Sequence, residues 1–230
     1  MKGIISGLLA SGRVRRSRLA AWMLFGFSPH PANRMTLWDN TSLAYRKALR
    51  RWVKEGDHVL EIGTGDVGLL SLYLIRKKKV ILTASDLFPE FIENARRNAR
   101  RLKADIGFVC GDLFDIGQAG PFDMIFFNPP YVRSERCRVQ KLLKYHGFAT
   151  EKMALLTSDG GEDGLRVVER YLAGAVKFLK PNGSVLVGYN SNHVHHDGVL
   201  ELTRRYGYTV TGIIRSSRSK VEILKLSADE

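Results

Sequence analysis

Residues 57–68, Asp57-His58-Val59-Leu60-Glu61-Ile62-Gly63-Thr64-Gly65-Asp66-Val67-Gly68, carry a short apolar run into a cluster of glycines, and an apolar-periodic segment continues over residues 69–75. The order predicts a strand, a tight turn and a helix. Glycines at 63 and 65 let the backbone reverse, and they let a ligand come closer than any Cβ would permit, at a helix N-terminus. A Gly-x-Gly turn is common, so its weight comes from the strands downstream. A second strand at 80–85 ends in Asp86, about 20 residues beyond the turn, where a doubly wound sheet sets a carboxylate against ribose hydroxyls. A third, at 106–110, runs into Gly111-Asp112-Leu113-Phe114-Asp115. Such a shared strand edge is where open α/β sheets bind ligands. Each aspartate alone reads equally well as a helix cap or turn residue. Together the series points to a nucleoside ligand.

A fourth apolar run, 122–127, stops at Asn128-Pro129-Pro130-Tyr131. A strand ending there offers two acceptors, the Asn side-chain oxygen and a backbone carbonyl, which can grip both hydrogens of one planar NH2 group. Each proline lacks an N–H and holds φ near −65°, so the turn is stiff and its carbonyls stay free. Tyr131 adds a flat face for stacking. In isolation the tetrapeptide is also a plain proline-stiffened turn.

With these motifs in place, the chain from about residue 36 to the C-terminus resembles the class I S-adenosylmethionine-dependent methyltransferases. Within them it is similar to the HemK-like group, which methylates the glutamine side-chain amide of peptide-chain release factors. The resemblance implies that Glu61, Gly63, Thr64 and Gly65 form the loop for the methionine part of S-adenosylmethionine. It makes Asp86, with Leu87, the ribose site, Asp112 and Leu113 the adenine contacts, and Asn128 a group facing both cofactor and substrate. Asn128, Pro129 and Tyr131 are the implied catalytic residues, and Pro130 joins them in holding the substrate amide. The stretch from Asp86-Leu87-Phe88-Pro89-Glu90 through Ala95-Arg96-Arg97-Asn98, and Gly160-Gly161-Glu162-Asp163-Gly164-Leu165, match the same pattern. Trp38-Asp39-Asn40-Thr41-Ser42-Leu43 stands loosely where the family has its substrate-access segment, which makes Thr41 a substrate-binding candidate. One departure is Val67, where a third glycine is expected, with Gly68 one place on. The long helical N-terminal domain of the bacterial enzymes is not seen either, which likens the chain to compact members that act with a small partner subunit.

The resemblance adds a mostly parallel seven-stranded α/β sheet, Rossmann-like, with an antiparallel last strand and helices on both faces. The residues agree. Apolar residues at 165, 168, 172, 176 and 179 predict a helix over 164–179, started by Glu162 and Asp163 and ended by Pro181-Asn182-Gly183. A strand at 184–189, a helix at 199–206 and strands at 209–214 and 221–226 complete the pattern. Strands alternating with helices predict a parallel sheet.

The chain has 230 residues, 44% of them hydrophobic, enough to bury a core without staples. Cys110 and Cys137 are the only cysteines, too few for a disulfide framework, and suit a reducing compartment such as the cytoplasm. No apolar stretch reaches the roughly 18 residues that span a bilayer. His193, His195 and His196 cluster without zinc-type spacing, so no metal is expected. Neither a Gly-x-Ser-x-Gly elbow nor a Walker loop occurs.

The net charge of +13 implies acidic partners, a ribosome or nucleic acid. Residues 1–38 are read as a basic N-terminal arm and 39–230 as the methyltransferase domain. The arm has no Asp or Glu but carries Lys2, Arg13, Arg15, Arg16, Arg18 and Arg34. It reads as an organelle-targeting sequence, as a nucleic-acid or membrane-surface arm, or as a helix packing Leu19, Trp22, Met23 and residues 25–27 on the domain as one stripe. Arg133, Arg136, Arg138, Lys141 and Lys144 come after the proline turn, as a solvated face or a substrate-gripping flap. For the methyl acceptor three classes stay open: release-factor glutamine, an adenine amine of RNA or DNA, or another amine. A methyltransferase-like binding subunit without catalysis is a fourth reading.

Overall fold

A computed structural model describes residues 12–32, 36–216 and 219–229, apart from the side chains of Tyr145 and His146. Its centre is a seven-stranded sheet. In chain order the strands are β1 (His58–Ile62), β2 (Ile81–Asp86), β3 (Gly107–Cys110), β4 (Phe122–Phe127), β7 (Leu179–Asn190), β8 (Tyr208–Ser216) and β9 (Val221–Ala228). A small second sheet joins β5 (Val132–Arg133) to β6 (Asp159–Gly161). The main sheet runs β3-β2-β1-β4-β7-β9-β8, with β9 antiparallel to both of its neighbours and every other pair parallel. Order and direction agree with the class I methyltransferase arrangement expected from the sequence.

Register brings the strand ends together. Ile62 lies opposite Ser85 on one side and Phe127 on the other, so the residues next in the chain, Gly63, Asp86 and Asn128, share one carboxyl edge. Side chains alternate across the sheet as a period of two requires. Val59 joins the core on one face with Tyr45, Leu72 and Phe126, and Leu60 joins the other with Phe122, Tyr171 and Leu224.

Helices cover both faces: α1 (Gly12–Arg15), α2 (Arg18–Phe25), α3 (Asn40–Trp52), α4 (Leu69–Ile75), α5 (Pro89–Arg101), α6 (Val139–His146), α7 (Glu151–Leu156), α8 (Arg166–Ala175) and α9 (His196–Arg205). The sequence pattern leaves α1, α3, α5, α6 and α7 unassigned. For α3 the start is nonetheless written in the chain. Asp39 and Ser42 form a reciprocal capping box, and Thr41, Ala44, Tyr45, Ala48 and Leu49 bury a single stripe.

Three expectations are corrected. The expected 164–179 helix is α8 and then a short 3-10 turn at Val176–Phe178, and β7 begins at Leu179, before the proline. Phe122 pairs with Leu179 and Met124 with Ser184, so residues 180–183 loop out of the ladder. The last helix starts at His196, not at 199.

The arm's apolar residues do not form one stripe. Ala20, Ala21, Phe25 and Phe27 enter the same core as Leu49 and Leu72, while Leu19, Trp22 and Met23 stay exposed on the opposite side of α2. Past α2 the segment is stitched to the domain by hydrogen bonds. The His30 N–H donates to Asn98 Oδ1 at 2.8 Å, Asn94 and Asn98 both donate to the His30 carbonyl at 2.9 Å, and the Ala32 N–H donates to Asp66 Oδ2 at 2.9 Å. Among the described residues no helix is long and apolar enough to cross a membrane, and no group of metal-ligating side chains gathers.

Candidate active site

The carboxyl edge of the sheet opens into a cavity of about 610 Å³. Glu61, Gly63, Thr64, Gly65, Asp86 and Leu87 line it, as do Asp112, Leu113, Asn128 and Pro130. The proline turn and the glycine loop therefore face one space.

The loop after β1 turns on glycines that need left-handed backbone. Gly63, Gly65 and Gly68 have φ of +67°, +70° and +65°. A Cβ at Gly63 would meet the Phe127 ring at 2.8 Å, whereas one at Gly65 would meet nothing. Gly63 thus lets the loop lie against the end of β4, and Gly65 leaves its side of the backbone open. The glycine missing at 67 is replaced by a left-handed Gly68 before α4, which frees Val67 to pack in the core with Leu69 and Leu70.

Two carboxylates anchor this loop. Glu61 is buried, and its Oε2 accepts from Thr64 Oγ1 at 2.8 Å, from the Ser71 N–H at 3.1 Å and from the Ser71 hydroxyl. Asp86 accepts from the Gly65 N–H at 2.8 Å through Oδ2 and from the Phe88 N–H at 3.0 Å through Oδ1. A carboxylate oxygen has two lone pairs, so Asp86 retains acceptor capacity for hydroxyls. Burial pushes Glu61 up to about 7 and Asp86 up to about 6, against the pull of their hydrogen bonds.

These shifts make stability depend on pH. Each acid holds its proton more tightly folded than unfolded, so its contribution to stability is complete below the unfolded value and is lost as pH rises through the folded one. Ligand-free protein should lose stability from these two groups as pH rises from the ordinary carboxylate range through about 6 for Asp86 and about 7 for Glu61. Urea unfolding across that range should show a flatter slope in Glu61→Gln than in wild type, and parallel slopes would refute the assignment.

Also on the cavity wall, Asp112 is half exposed and ion-paired to Arg170 at 2.8 Å. Leu113 sits in left-handed backbone, φ +52°, which is costly for a branched side chain and is characteristic of functional sites. Phe88, Phe91 and Met153 form a small core of their own, with Phe148 packed against it. This cluster holds α7 beside the cavity, where Leu155 and Leu156 form part of the wall. Sequence reasoning misses this wall, together with Arg166 and Arg170, which also line the cavity, as does Trp38 of the expected substrate-access segment.

The proline turn divides between the cavity and its support. Asn128 and Pro130 line the cavity; Pro129, Tyr131 and Thr41 do not. The Tyr131 hydroxyl lies 3.1 Å from Thr41 Oγ1, and burial raises its pKa. Its hydroxyl is therefore engaged with Thr41, and its ring lies 6.0 Å from that of His193. Likewise Thr41 is buried and holds the turn. The Tyr45 hydroxyl donates to the Phe127 carbonyl, so α3 braces both sides of Asn128. Asn128 Oδ1 is itself buried with no hydrogen-bond partner. Such an atom costs about 1–3 kcal/mol unless a donor reaches it.

Behind the turn, Gly160 is packed to the limit. A Cβ there would lie 2.6 Å from the Gly164 carbonyl oxygen and 2.7 Å from Tyr131 Cα, both backbone. Gly160→Ala should displace the turn, lowering stability by about 1–3 kcal/mol and turnover with it. An unchanged melting temperature would show that the packing is looser than this.

The sheet order and the cavity at its carboxyl edge define a protein of the class I methyltransferase fold. By similarity to the methyltransferase small domain model over residues 37–161, the chain belongs to that family. A protein of Methanocaldococcus jannaschii, assigned provisionally as a protein N5-glutamine methyltransferase, is 34% identical over 135 residues, 59% of this chain and 62% of that one. A release factor glutamine methyltransferase of Deinococcus radiodurans is 33% identical over 171 residues, 74% of this chain and 54% of that one. The chain thus spans between half and two thirds of the length of these relatives. A methyltransferase from Pyrococcus furiosus superposes with a TM-score of 0.64 at 23% identity, covering 91% of this chain and 92% of that one.

Proposed function

We propose that the protein is an S-adenosylmethionine-dependent N-methyltransferase acting on the side-chain amide of a glutamine in a peptide-chain release factor. The observation that carries the reading is Asn128, its side-chain oxygen unpaired, lining the same cavity as the glycine loop and Asp86. The residues fit the cofactor: Gly65 leaves room for close approach, Asp86 has lone pairs to spare for ribose hydroxyls, and Leu113 and Asp112 border the adenine end. Bound there, S-adenosylmethionine supplies an electrophilic methyl group on a positively charged sulfur.

The chain's own contribution is orientation. An amide nitrogen shares its lone pair with its carbonyl and is a poor nucleophile. Asn128 Oδ1 accepts one N–H and turns the lone pair toward the cofactor side of the cavity. That acceptor stabilises positive charge gathering on the nitrogen. Once alkylated, the nitrogen is acidic and gives up its proton without a strong side-chain base. The names of relatives support glutamine as the acceptor.

The test is transfer of labelled methyl groups to a release factor, total RNA and DNA in parallel, with the modified residue identified by mass spectrometry. Label on a release-factor glutamine is expected. A second reading, an adenine amine, rests on the net charge of +13, and label on nucleic acid alone would establish it instead. Cofactor binding without transfer to any of the three would mark a binding subunit.

A further inference from the structure

We infer that Trp38 determines specificity, donating its indole N–H to the carbonyl oxygen of the substrate carboxamide while Asn128 takes the N–H side. The inference rests on the glutamine reading above. Trp38 is 2% exposed, and Nε1 is buried with no hydrogen-bond partner. Buried indoles usually find an acceptor, and one left without loses the solvation of its N–H. Trp38 nevertheless lines the cavity that Asn128 lines.

Trp38 is tied to the Asn128 turn through the helix next in the chain. Thr41 holds Tyr131 and Tyr45 holds the Phe127 carbonyl, so the first turns of α3 grip the chain on both sides of residue 128. Trp38 immediately precedes Asp39, the cap of that helix. Asp39 does not compete for the indole through its Oδ1, which is engaged by the Ser42 N–H at 2.7 Å and the Ser42 hydroxyl at 2.8 Å.

The lining of the cavity thus carries an orphaned donor in Trp38 and an orphaned acceptor in Asn128. A carboxamide is their complement: an acceptor oxygen and a donor NH2 held in one plane. A simple amine offers no acceptor and would leave the indole N–H unpaired, which is how a site rejects a near-isostere.

The test uses Trp38→Phe, which keeps an aromatic ring and removes the donor, with a glutamine peptide from a release factor as substrate. Expected are a fall in kcat/KM of about 10- to 100-fold and an S-adenosylmethionine affinity by calorimetry that changes little. A second peptide carrying ornithine in place of the glutamine should bind wild type much more weakly than the glutamine peptide, and the variant should narrow that ratio. A merely structural role would weaken both peptides together. In folded wild type, the Trp38 indole 1H–15N resonance should also move downfield when the glutamine peptide is added. An unmoved resonance, an unchanged ratio, or a loss confined to cofactor affinity would overturn the inference while leaving glutamine methylation standing. Failure of the wild type to methylate the peptide would overturn both.

Discussion

Asn128→Ala should lower kcat on a glutamine substrate by about 10²- to 10³-fold, the scale seen when one preorganised group facing transition-state charge is removed. Cofactor affinity should hardly change, because the loop around Gly63 and the Asp86 carboxylate are built without Asn128. The stability effect has an unusual sign. Truncating a buried polar side chain normally destabilises, but Oδ1 here is already without a donor, and removing an unsatisfied group relieves rather than adds a penalty. The variant should melt at or above the wild-type temperature while losing turnover. A wild-type kcat would refute the role; a large drop in melting temperature would show that the oxygen has a partner in the folded protein.

Asp86→Ala should weaken S-adenosylmethionine binding by about 100-fold, the loss of charge-assisted bonds worth about 1.5–3 kcal/mol each, with a smaller change in kcat at saturation. Two causes combine. The ribose loses its acceptor, and the Gly65 and Phe88 N–H groups lose theirs, so the loop itself loosens. Asp86→Asn separates them in part, since it keeps one acceptor oxygen. In wild type, binding should tighten as pH rises through about 6, where the buried Asp86 ionises, and Asp86→Asn should lack that inflection. Calorimetric affinity unchanged in both variants would remove Asp86 from the site.

The parts of this fold legible in the sequence are those where local chemistry and tertiary role coincide. The β1 to α4 turn needs left-handed backbone, and glycine is the residue that supplies it, so 63, 65 and 68 announce themselves. Strand ends are legible because Asp86 and Asn128 interrupt apolar runs. The wall of the cavity is not. Phe148, Met153, Leu155 and Leu156 are spread over a short, charged stretch whose apolar residues pack across to Phe88 and Phe91, so no local period reveals them. Tyr131 shows a different limit: an aromatic after two prolines suggests stacking, yet its hydroxyl finds Thr41, ninety residues away in sequence. Trp38 is signalled only through the loosely matching segment 38–43, because only the folded chain shows that its N–H lacks a partner. The capping box at Asp39 and Ser42, by contrast, is readable from the residues alone and locates α3.

The stitches at His30 and Ala32 bear on how the protein can be shortened. Drawing a boundary at residue 38, where charge composition changes, would cut the thread that fastens Asp66 of the glycine loop and Asn94 and Asn98 of α5. It would also uncover the floor beneath Phe25 and Phe27. The basic arm is, for its described part, upholstery of the glycine loop, and a trimmed fragment would inherit a slack loop along with its smaller size.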